Sequence, residues 1–141
     1  MKWSEAYTVG VPKIDTQHKM LFQIVTDYGL ALDEDTGEAT YENFLQALRA
    51  YCTAHFAFEE GCMAQHNCPV ADKNQTAHKE FLSKLAEYEL SYQAVKFVRE
   101  DAKKLVTFLE KWLTGHICGI DVGLRTSVLP TPGGDRPGTD A

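Results

Sequence analysis

Helical periodicity is the feature of this sequence that most constrains its fold. Apolar residues recur at helical spacing in four separate stretches, whereas the alternating pattern of a β-strand is weak throughout. The four apolar stripes consist of Leu21, Ile24, Val25 and Tyr28; Phe44, Leu45, Leu48, Tyr51, Cys52 and Phe56; Phe81, Leu82, Leu85 and Tyr88; and Phe97, Val98, Leu105, Phe108, Leu109, Trp112 and Leu113. Four such helices joined by short loops pack most economically as an up-down-up-down bundle, so an all-α four-helix bundle is predicted.

Capping residues indicate where the first two helices begin. Residues 1–14 are too irregular for a helix and are predicted to form an extended arm that lies over the bundle. Asp15 is the candidate N-cap of the first helix, which is predicted to end near Leu32, before an acidic, turn-like loop at residues 33–37. Thr40 is the candidate cap of the second helix.

Helix breakers set the remaining boundaries. Asn67 tolerates the left-handed conformation of a helix end, and Pro69 cannot continue a helix interior, so the second helix is predicted to stop there. The third helix is predicted over about residues 70–91, and the fourth over about residues 94–117.

The length and composition favour one folded domain. A chain of 141 residues, of which 44% are hydrophobic, can bury one core, and residues 1–128 are predicted to contain it. Residues 129–141 are rich in proline and glycine and are predicted to be a disordered tail or a linker to a further domain.

The net charge and the cysteines limit the partners and the cellular location expected of this chain. A net charge of −6 argues against nucleic acid and against an anionic membrane surface as partners, because no basic stripe is present. No apolar run approaches the roughly 20 residues of a membrane span, and the N-terminus lacks a secretion signal, so a cytoplasmic location is expected. The cysteines form no CxxC or CxxCH motif and are predicted to be buried, reduced thiols. They are Cys52, Cys62, Cys68 and Cys118.

A histidine and a glutamate stand on the apolar face of the second helix. His55 and Glu59 are four residues apart, so their side chains lie on one face of the helix, in the middle of its apolar stripe. A buried carboxylate beside a buried imidazole requires a partner, because an uncompensated interior charge is very costly. The two groups either neutralise each other or bind a metal, and such a pair alone also arises by chance.

The other three predicted helices each supply one more imidazole. Taken singly, each of these histidines is more often an ordinary core or surface residue. Together they put one imidazole on the apolar face of every helix, accompanied by two carboxylates. Mixed imidazole and carboxylate ligands suit iron, and facing helices of a bundle can hold a carboxylate-bridged di-iron site. The candidate ligands are His18, His55, Glu59, His78, His116 and Asp121.

The order and spacing of these residues resemble the hemerythrins, most closely the bacterial ones. The resemblance spans about residues 3 to 125 and includes several spaced motifs in the same order. These are Trp3-Ser4-Glu5, Val9-Gly10-Val11, Ile14-Asp15-xx-His18, His55-Phe56-xx-Glu59-Glu60-xx-Met63, Pro69, His78-xx-Phe81, Trp112-Leu113-xx-His116-Ile117 and Asp121. Such a series is more specific than any one of its motifs.

The resemblance implies two iron ions, cycling between Fe²⁺ and Fe³⁺, that bind dioxygen. Glu59, Asp121 and an oxo or hydroxo group would bridge the irons, and His18 and His55 would bind one of them. In the family the second iron takes three histidines, two of them from an HxxxH pair on the third helix. The apolar residues that match the family's oxygen pocket are Leu21, Phe56, Trp112 and Leu113.

The third helix departs from the family pattern. Pro69 and the His78-xx-Phe81 spacing fix the register, and Asn74 then occupies the position of the missing histidine ligand. Asparagine is shorter and a weaker donor to iron than histidine. Three outcomes are open: water or Asn74 fills the position, both irons have an open site, or the centre is partly metallated and mainly structural. His66 lies too far along the second helix to substitute.

Non-enzymatic oxygen binding, for storage, delivery or sensing, is the favoured function. The alternatives are a di-iron enzyme that acts on peroxide, dioxygen or nitric oxide, and the sensor domain of a larger signalling protein. Dioxygen is the expected small-molecule partner. An oxygen-consuming enzyme or a fused output domain is left open as a protein partner.

Overall fold

The four predicted helices form an all-α bundle. The computed structural model describes residues 2–128, and every regular element in that range is helical. The predicted tail at residues 129–141 lies outside the described residues. The elements are a 3₁₀ turn, Glu5–Tyr7; the helices α1, Pro12–Asp33, α2, Gly37–Gln65, α3, Ala71–Val95, and α4, Arg99–His116; a π-helical turn, Ile117–Asp121; and a short helix α5, Gly123–Val128.

Helix α1 begins earlier than predicted, and Asp15 is not its N-cap. Pro12 occupies the first turn of the helix, where its missing N–H costs nothing and its fixed φ favours helix. Asp15 therefore lies inside the first turn, and its Oδ1 accepts a hydrogen bond of 2.7 Å from the backbone N–H of Val9. The carboxylate holds the N-terminal arm against the helix, and that arm itself contains the 3₁₀ turn.

The predicted cap of α2 was also wrong. The helix begins at Gly37, so Thr36 is at the cap position and Thr40 lies in the first turn. The hydroxyl of Thr40 donates a hydrogen bond of 3.0 Å to the carbonyl of Thr36. Because α1 continues to Asp33, the connection is only three residues long, and Asp35 adopts a φ of 65° within it.

Asn67 ends α2 as predicted, whereas the turn between α3 and α4 lies later in the sequence than predicted. Asn67 has a φ of 50°, the left-handed conformation expected of a helix end. Helix α3 continues to Val95, beyond the predicted end, and Lys96 turns the chain with a φ of 62°. Helix α4 then starts at Arg99, and Val98, predicted to be a core residue, is 39% exposed just before it.

The core has two parts, of which the larger runs through the four-helix bundle. The smaller part joins the N-terminal arm to the ends of α2 and α5, and Val9, Ile14, Met63 and Leu124 are almost completely buried in it. None of the helices in residues 2–128 combines the length and the hydropathy that a bilayer crossing requires.

Three of the four cysteines are buried and free, as predicted, but Cys118 is exposed. The prediction was wrong for Cys118 because the π-helical turn directs His116 and Asp121 inward and leaves Cys118 and Gly119, in the middle of the turn, on the outside.

The turn between α1 and α2 has no room for a side chain at Gly37. A Cβ at this position would lie 2.5 Å from Leu32 Cδ2 and 3.0 Å from Leu32 Cα. We expect Gly37→Ala to destabilise the protein by about 1–3 kcal/mol, because the backbone of Leu32 cannot move away freely. The matched control is Gly61→Ala in the same helix, where a Cβ would have no neighbour within 4 Å.

Gly61→Ala is expected to stabilise the protein by about 0.5–1 kcal/mol, because alanine loses less backbone entropy in a helix than glycine does. Thermal or urea unfolding of both variants measures the difference. Equal stabilities of the two variants would contradict the close contact at Gly37.

Candidate metal centre

The fold brings all six candidate ligands together in the middle of the bundle. His18 comes from α1, His55 and Glu59 from α2, His78 from α3, and His116 and Asp121 from the end of α4 and the π-helical turn. All six side chains are buried, and the most accessible of them, His116, is only 6% exposed. Their nitrogen and oxygen atoms form two adjoining groups, each compact enough to hold a metal ion.

The π-helical turn explains the spacing between His116 and Asp121. Residues five apart in a regular α-helix point about 140° away from each other, so they cannot share a site. In a π turn the hydrogen bonds run between residues five apart, as Val122 N–H to Ile117 O does at 2.9 Å. The turn therefore aims both side chains inward, whereas the sequence predicted an ordinary helix end at Ile117.

The first group contains His18, His55 and one oxygen of Glu59, and one oxygen of Asp121 lies beside His18. His18 Nε2 lies 3.0 Å from Glu59 Oε2 and 3.2 Å from Asp121 Oδ2. His55 Nε2 lies 3.5 Å from the same Glu59 oxygen.

The second group contains His78, His116 and the other oxygen of each carboxylate. His78 Nε2 lies 3.1 Å from Glu59 Oε1, and His116 Nε2 lies 3.0 Å from Asp121 Oδ1. The two imidazole Nε2 atoms are 3.2 Å apart. Glu59 and Asp121 thus each place one oxygen beside His18 and the other beside His78 or His116, an arrangement in which both carboxylates can bridge two cations.

The hydrogen bonding within the site is incomplete in a way that a cation would satisfy. Asp121 Oδ1 makes no hydrogen bond although it lies 3.0 Å from His116 Nε2, and the buried Asn74 Oδ1 also has none. Two imidazole nitrogens in contact can share only one proton, which leaves a lone pair facing the centre. His18 Nδ1 is unpaired too, but it is on the ring edge away from the centre. Imidazole nitrogens with carboxylate oxygens fit a pair of divalent transition-metal ions.

Asn74 lies at the centre, as its register predicts, whereas His66 does not. Asn74 is completely buried, and its Nδ2 donates a hydrogen bond of 3.3 Å to Glu59 Oε1. It therefore faces the half of the site that contains His78. His66 ends α2 and lies near the carbonyl oxygen of Cys62, at 3.3 Å, outside both groups of ligands.

Two outer side chains orient the imidazoles, and sequence reasoning missed them. His55 Nδ1 donates to the amide oxygen of Gln17 at 2.7 Å, and His78 Nδ1 donates to Glu60 Oε2 at 2.8 Å. Each bond directs the Nε2 atom of that histidine toward the centre. The only sequence signal was that Gln17 and Glu60 are adjacent to candidate ligands.

Apolar side chains surround the imidazoles. The ring of Phe56 stacks on His78 at a centroid distance of 3.8 Å, and that of Trp112 stacks on His116 at 4.3 Å. Of the four predicted pocket residues, Leu21, Phe56 and Leu113 are buried, and Trp112 is partly exposed. These rings cover the imidazole pair on α3 and α4 with apolar surface.

The pKa values of His18, on α1, and His55, on α2, are shifted in opposite directions. Burial by itself lowers the pKa of His18, but hydrogen bonds to Asp121 and Glu59 outweigh it and raise this pKa to about 9. Burial lowers the pKa of His55 to about 4, against the attraction of Glu59. Burial of Glu59 opposes ionisation, yet its hydrogen bonds with His18 and His78 hold the pKa of this carboxyl well below the ordinary value.

Metal affinity is therefore expected to rise with pH. A cation needs a neutral Nε2, whereas His18 is protonated below pH 9 and His55 is already neutral at pH 7. Between pH 6.5 and 8.5, displacing the His18 proton should strengthen Co²⁺ or anaerobic Fe²⁺ binding by up to roughly 10-fold per pH unit. Titration of the metal-free protein at several pH values measures this slope. His66→Gln, which removes an imidazole outside the site, should leave it unchanged, and a pH-independent affinity would contradict the protonation of His18.

Comparison with known proteins agrees with this geometry. Residues 9–124 match the family described as the hemerythrin HHE cation binding domain. A bacteriohemerythrin of Stenotrophomonas maltophilia (strain R551-3) is 28% identical over 119 residues, which cover 84% of this chain and 75% of the relative. A bacteriohemerythrin of Pseudomonas paraeruginosa (strain DSM 24068 / PA7) is 29% identical over 128 residues, which cover 89% of this chain and 80% of the relative.

A third relative is similar to the same degree. A hemerythrin-like protein of Naegleria gruberi is 30% identical over 120 residues, which cover 85% of this chain and 87% of the relative. The family match takes in all six buried ligand candidates, from His18 to Asp121. The resemblance inferred from the spacing of these residues is confirmed, and the chain belongs to the hemerythrin family of cation-binding four-helix bundles.

Proposed function

We propose that this chain is a non-haem di-iron protein that binds dioxygen for storage, delivery or sensing. The observation that carries the proposal is the sharing of two buried carboxylates between two pairs of imidazoles. One iron would be held by His18 and His55, and the other by His78 and His116. Glu59, Asp121 and an oxo or hydroxo group would bridge them. Bound ferrous ions would supply two electrons and an open coordination position for dioxygen.

The protein's own contribution is to orient the ligands and to exclude water. Gln17 and Glu60 hold two of the imidazoles by their Nδ1 atoms. Phe56 and Trp112 cover the rings of His78 and His116, so the polar centre lies within an apolar shell. A dry pocket of this kind favours reversible binding, because water promotes loss of the oxidised metal and side reactions.

Asn74 favours a second candidate function, a di-iron enzyme that acts on peroxide, dioxygen or nitric oxide. Its neutral amide stands where the family pattern has an imidazole, so the His78 half of the centre has two imidazoles instead of three. An under-coordinated metal ion offers a position for a second reactant. We nevertheless favour a non-enzymatic role, because the relatives that this chain resembles are bacteriohemerythrins.

The expected setting is the cytoplasm, which the buried free cysteines support. For delivery or sensing, the protein partner would be an oxygen-consuming enzyme or a fused output domain.

Anaerobic reconstitution with Fe²⁺ tests the proposal. We expect two irons per chain by metal analysis, and an absorption band that appears with dioxygen and disappears when dioxygen is removed. Failure to retain iron after reconstitution would overturn the proposal. Irreversible oxidation together with turnover of peroxide or nitric oxide would replace it by the enzyme.

A further inference from the structure

The two halves of the centre have outer partners of different charge. On one side His55 Nδ1 donates to Gln17, a neutral amide, at 2.7 Å. On the other side His78 Nδ1 donates to Glu60, a carboxylate, at 2.8 Å. The two bonds are almost equally short, so charge rather than distance distinguishes them.

A carboxylate partner changes what an imidazole can do for a metal. By accepting the Nδ1 proton in a charge-assisted hydrogen bond, it pulls that proton away and makes the opposite Nε2 a stronger electron donor. A neutral amide oxygen orients the ring equally well but strengthens the donor less. His78 is therefore expected to be a stronger ligand than His55.

The stronger imidazole, His78, lies in the half of the centre that lacks the third histidine of the family pattern. Asn74 is one helical turn before His78 on α3, and its Nδ2 lies 3.3 Å from Glu59 Oε1. His78 Nε2 lies 3.1 Å from that same Glu59 oxygen. Asn74 and the Glu60–His78 pair thus act on the same half of the centre, one by weakening its donor set and the other by strengthening it.

We propose that Glu60 is a positioning residue that, through His78, retains the metal ion in the half of the centre where Asn74 replaces a histidine. The inference rests on the proposed di-metal function and adds that the two ions are held unequally. Glu60 itself touches no ion. Its Oε2 lies against Nδ1 of His78, and it belongs to neither group of ligand atoms, so its effect passes through the imidazole.

Two reciprocal variants test this role. Glu60→Gln keeps the shape of the side chain and removes the charge, whereas Gln17→Glu places a carboxylate on His55 instead. The full-length chain is loaded anaerobically with Fe²⁺, and the loss of iron to a chelator is followed over time. In Glu60→Gln we expect one of the two irons to be lost roughly 10–100-fold faster than in the unmodified chain, with the other unchanged. In Gln17→Glu the release of the other iron should slow.

A spectroscopic readout separates this role from a structural one. In the Zn²⁺-loaded chain with ¹⁵N-labelled histidine, the Nδ1 proton of His78 should resonate downfield of that of His55, because it is bound to a carboxylate. Glu60→Gln should remove this difference, and Gln17→Glu should reduce it by moving the His55 signal. The measurement on the unmodified chain decides the case even if one variant fails to fold.

Failure of metal binding and failure of the role of Glu60 give different results. If the unmodified chain binds no divalent metal, the proposed function fails and the inference falls with it. If the unmodified chain holds two irons and Glu60→Gln loses both at the original rates, only the role of Glu60 is overturned. Equal Nδ1 proton shifts for His55 and His78 would overturn it as well.

Discussion

Glu59→Gln is expected to remove metal binding from the whole centre rather than from one half. The two oxygens of Glu59 lie 3.0 Å from His18 and 3.1 Å from His78, so this carboxylate is the group that both halves share. Glutamine has the same shape but offers one neutral oxygen and brings an NH₂ group into the site. We expect the affinity for both ions to fall by more than the roughly 10–100-fold that follows loss of an outer partner.

The metal-free form of this variant should also be less stable. The pKa of Glu59 is held well below its ordinary value by His18 and His78, so its ionised form stabilises the fold above about pH 4.5, and this stabilisation is lost as the pH falls through the lowered value. Removing one partner of a buried pair typically costs roughly 3–5 kcal/mol. We therefore expect a loss of about 3 kcal/mol at pH 7 and a weaker dependence of stability on acid.

Metal analysis and urea unfolding at several pH values measure both effects of Glu59→Gln. The matched control is Glu87→Gln, which changes an exposed carboxylate that lies 3.4 Å from Lys84 Nζ on the surface of α3. The control should retain two irons and the original stability. A Glu59→Gln protein that still holds two irons would contradict the bridging position of this residue.

The sequence predicts the centre of this protein better than it predicts the ends of its helices. The periodic stripes place His55 and Glu59 on a buried face, and packing then brings them against polar groups on the apolar faces of the other helices, the imidazoles among them. The burial and convergence of the candidate ligands follow from that constraint. The positions at which helices start depend on smaller free energies than the burial of an apolar face does. Asp15 and Thr40 are residue types that favour the N-cap position, but α1 begins at Pro12 and α2 at Gly37, so both lie inside the first turn.

Three features of the centre could not be predicted from a helical pattern. The π-helical turn that aims Asp121 depends on where α4 changes its hydrogen bonding, not on apolar spacing. The contact of Glu60 with His78 joins residues on different helices, so its formation depends on the relative rotation of α2 and α3. The opposite protonation of His18 and His55 depends on carboxylate distances that only the folded chain defines.

Asn74→His is expected to restore donor strength to the half of the centre that contains His78. Asn74 is completely buried, its Oδ1 has no partner, and its Nδ2 reaches a carboxylate oxygen of the centre. A longer side chain at this position therefore extends toward the proposed ion, and imidazole is a stronger donor than an amide. We expect one of the two irons to dissociate at least roughly 10-fold more slowly, which corresponds to about 1.4 kcal/mol.

Release of Fe²⁺ to a chelator measures the effect of Asn74→His, and Asn74→Ala is the control that removes the amide without adding a donor. Slower release in Asn74→His than in Asn74→Ala is the expected order. If the two variants release iron at the same rate, this half of the centre has no position for another ligand, and the significance given to Asn74 is wrong.

Combining Asn74→His with Glu60→Gln joins the two residues in one experiment. If Glu60 compensates for the missing histidine, Glu60→Gln should speed iron release less when a histidine occupies position 74. His78 is then no longer the only imidazole that α3 contributes. The double variant should therefore release iron more slowly than the effects of the single variants predict together, which is the coupling expected of residues that act on one site. Strict additivity would mean that Glu60 and Asn74 act on the centre independently, and the unequal retention of the two ions would then need another cause.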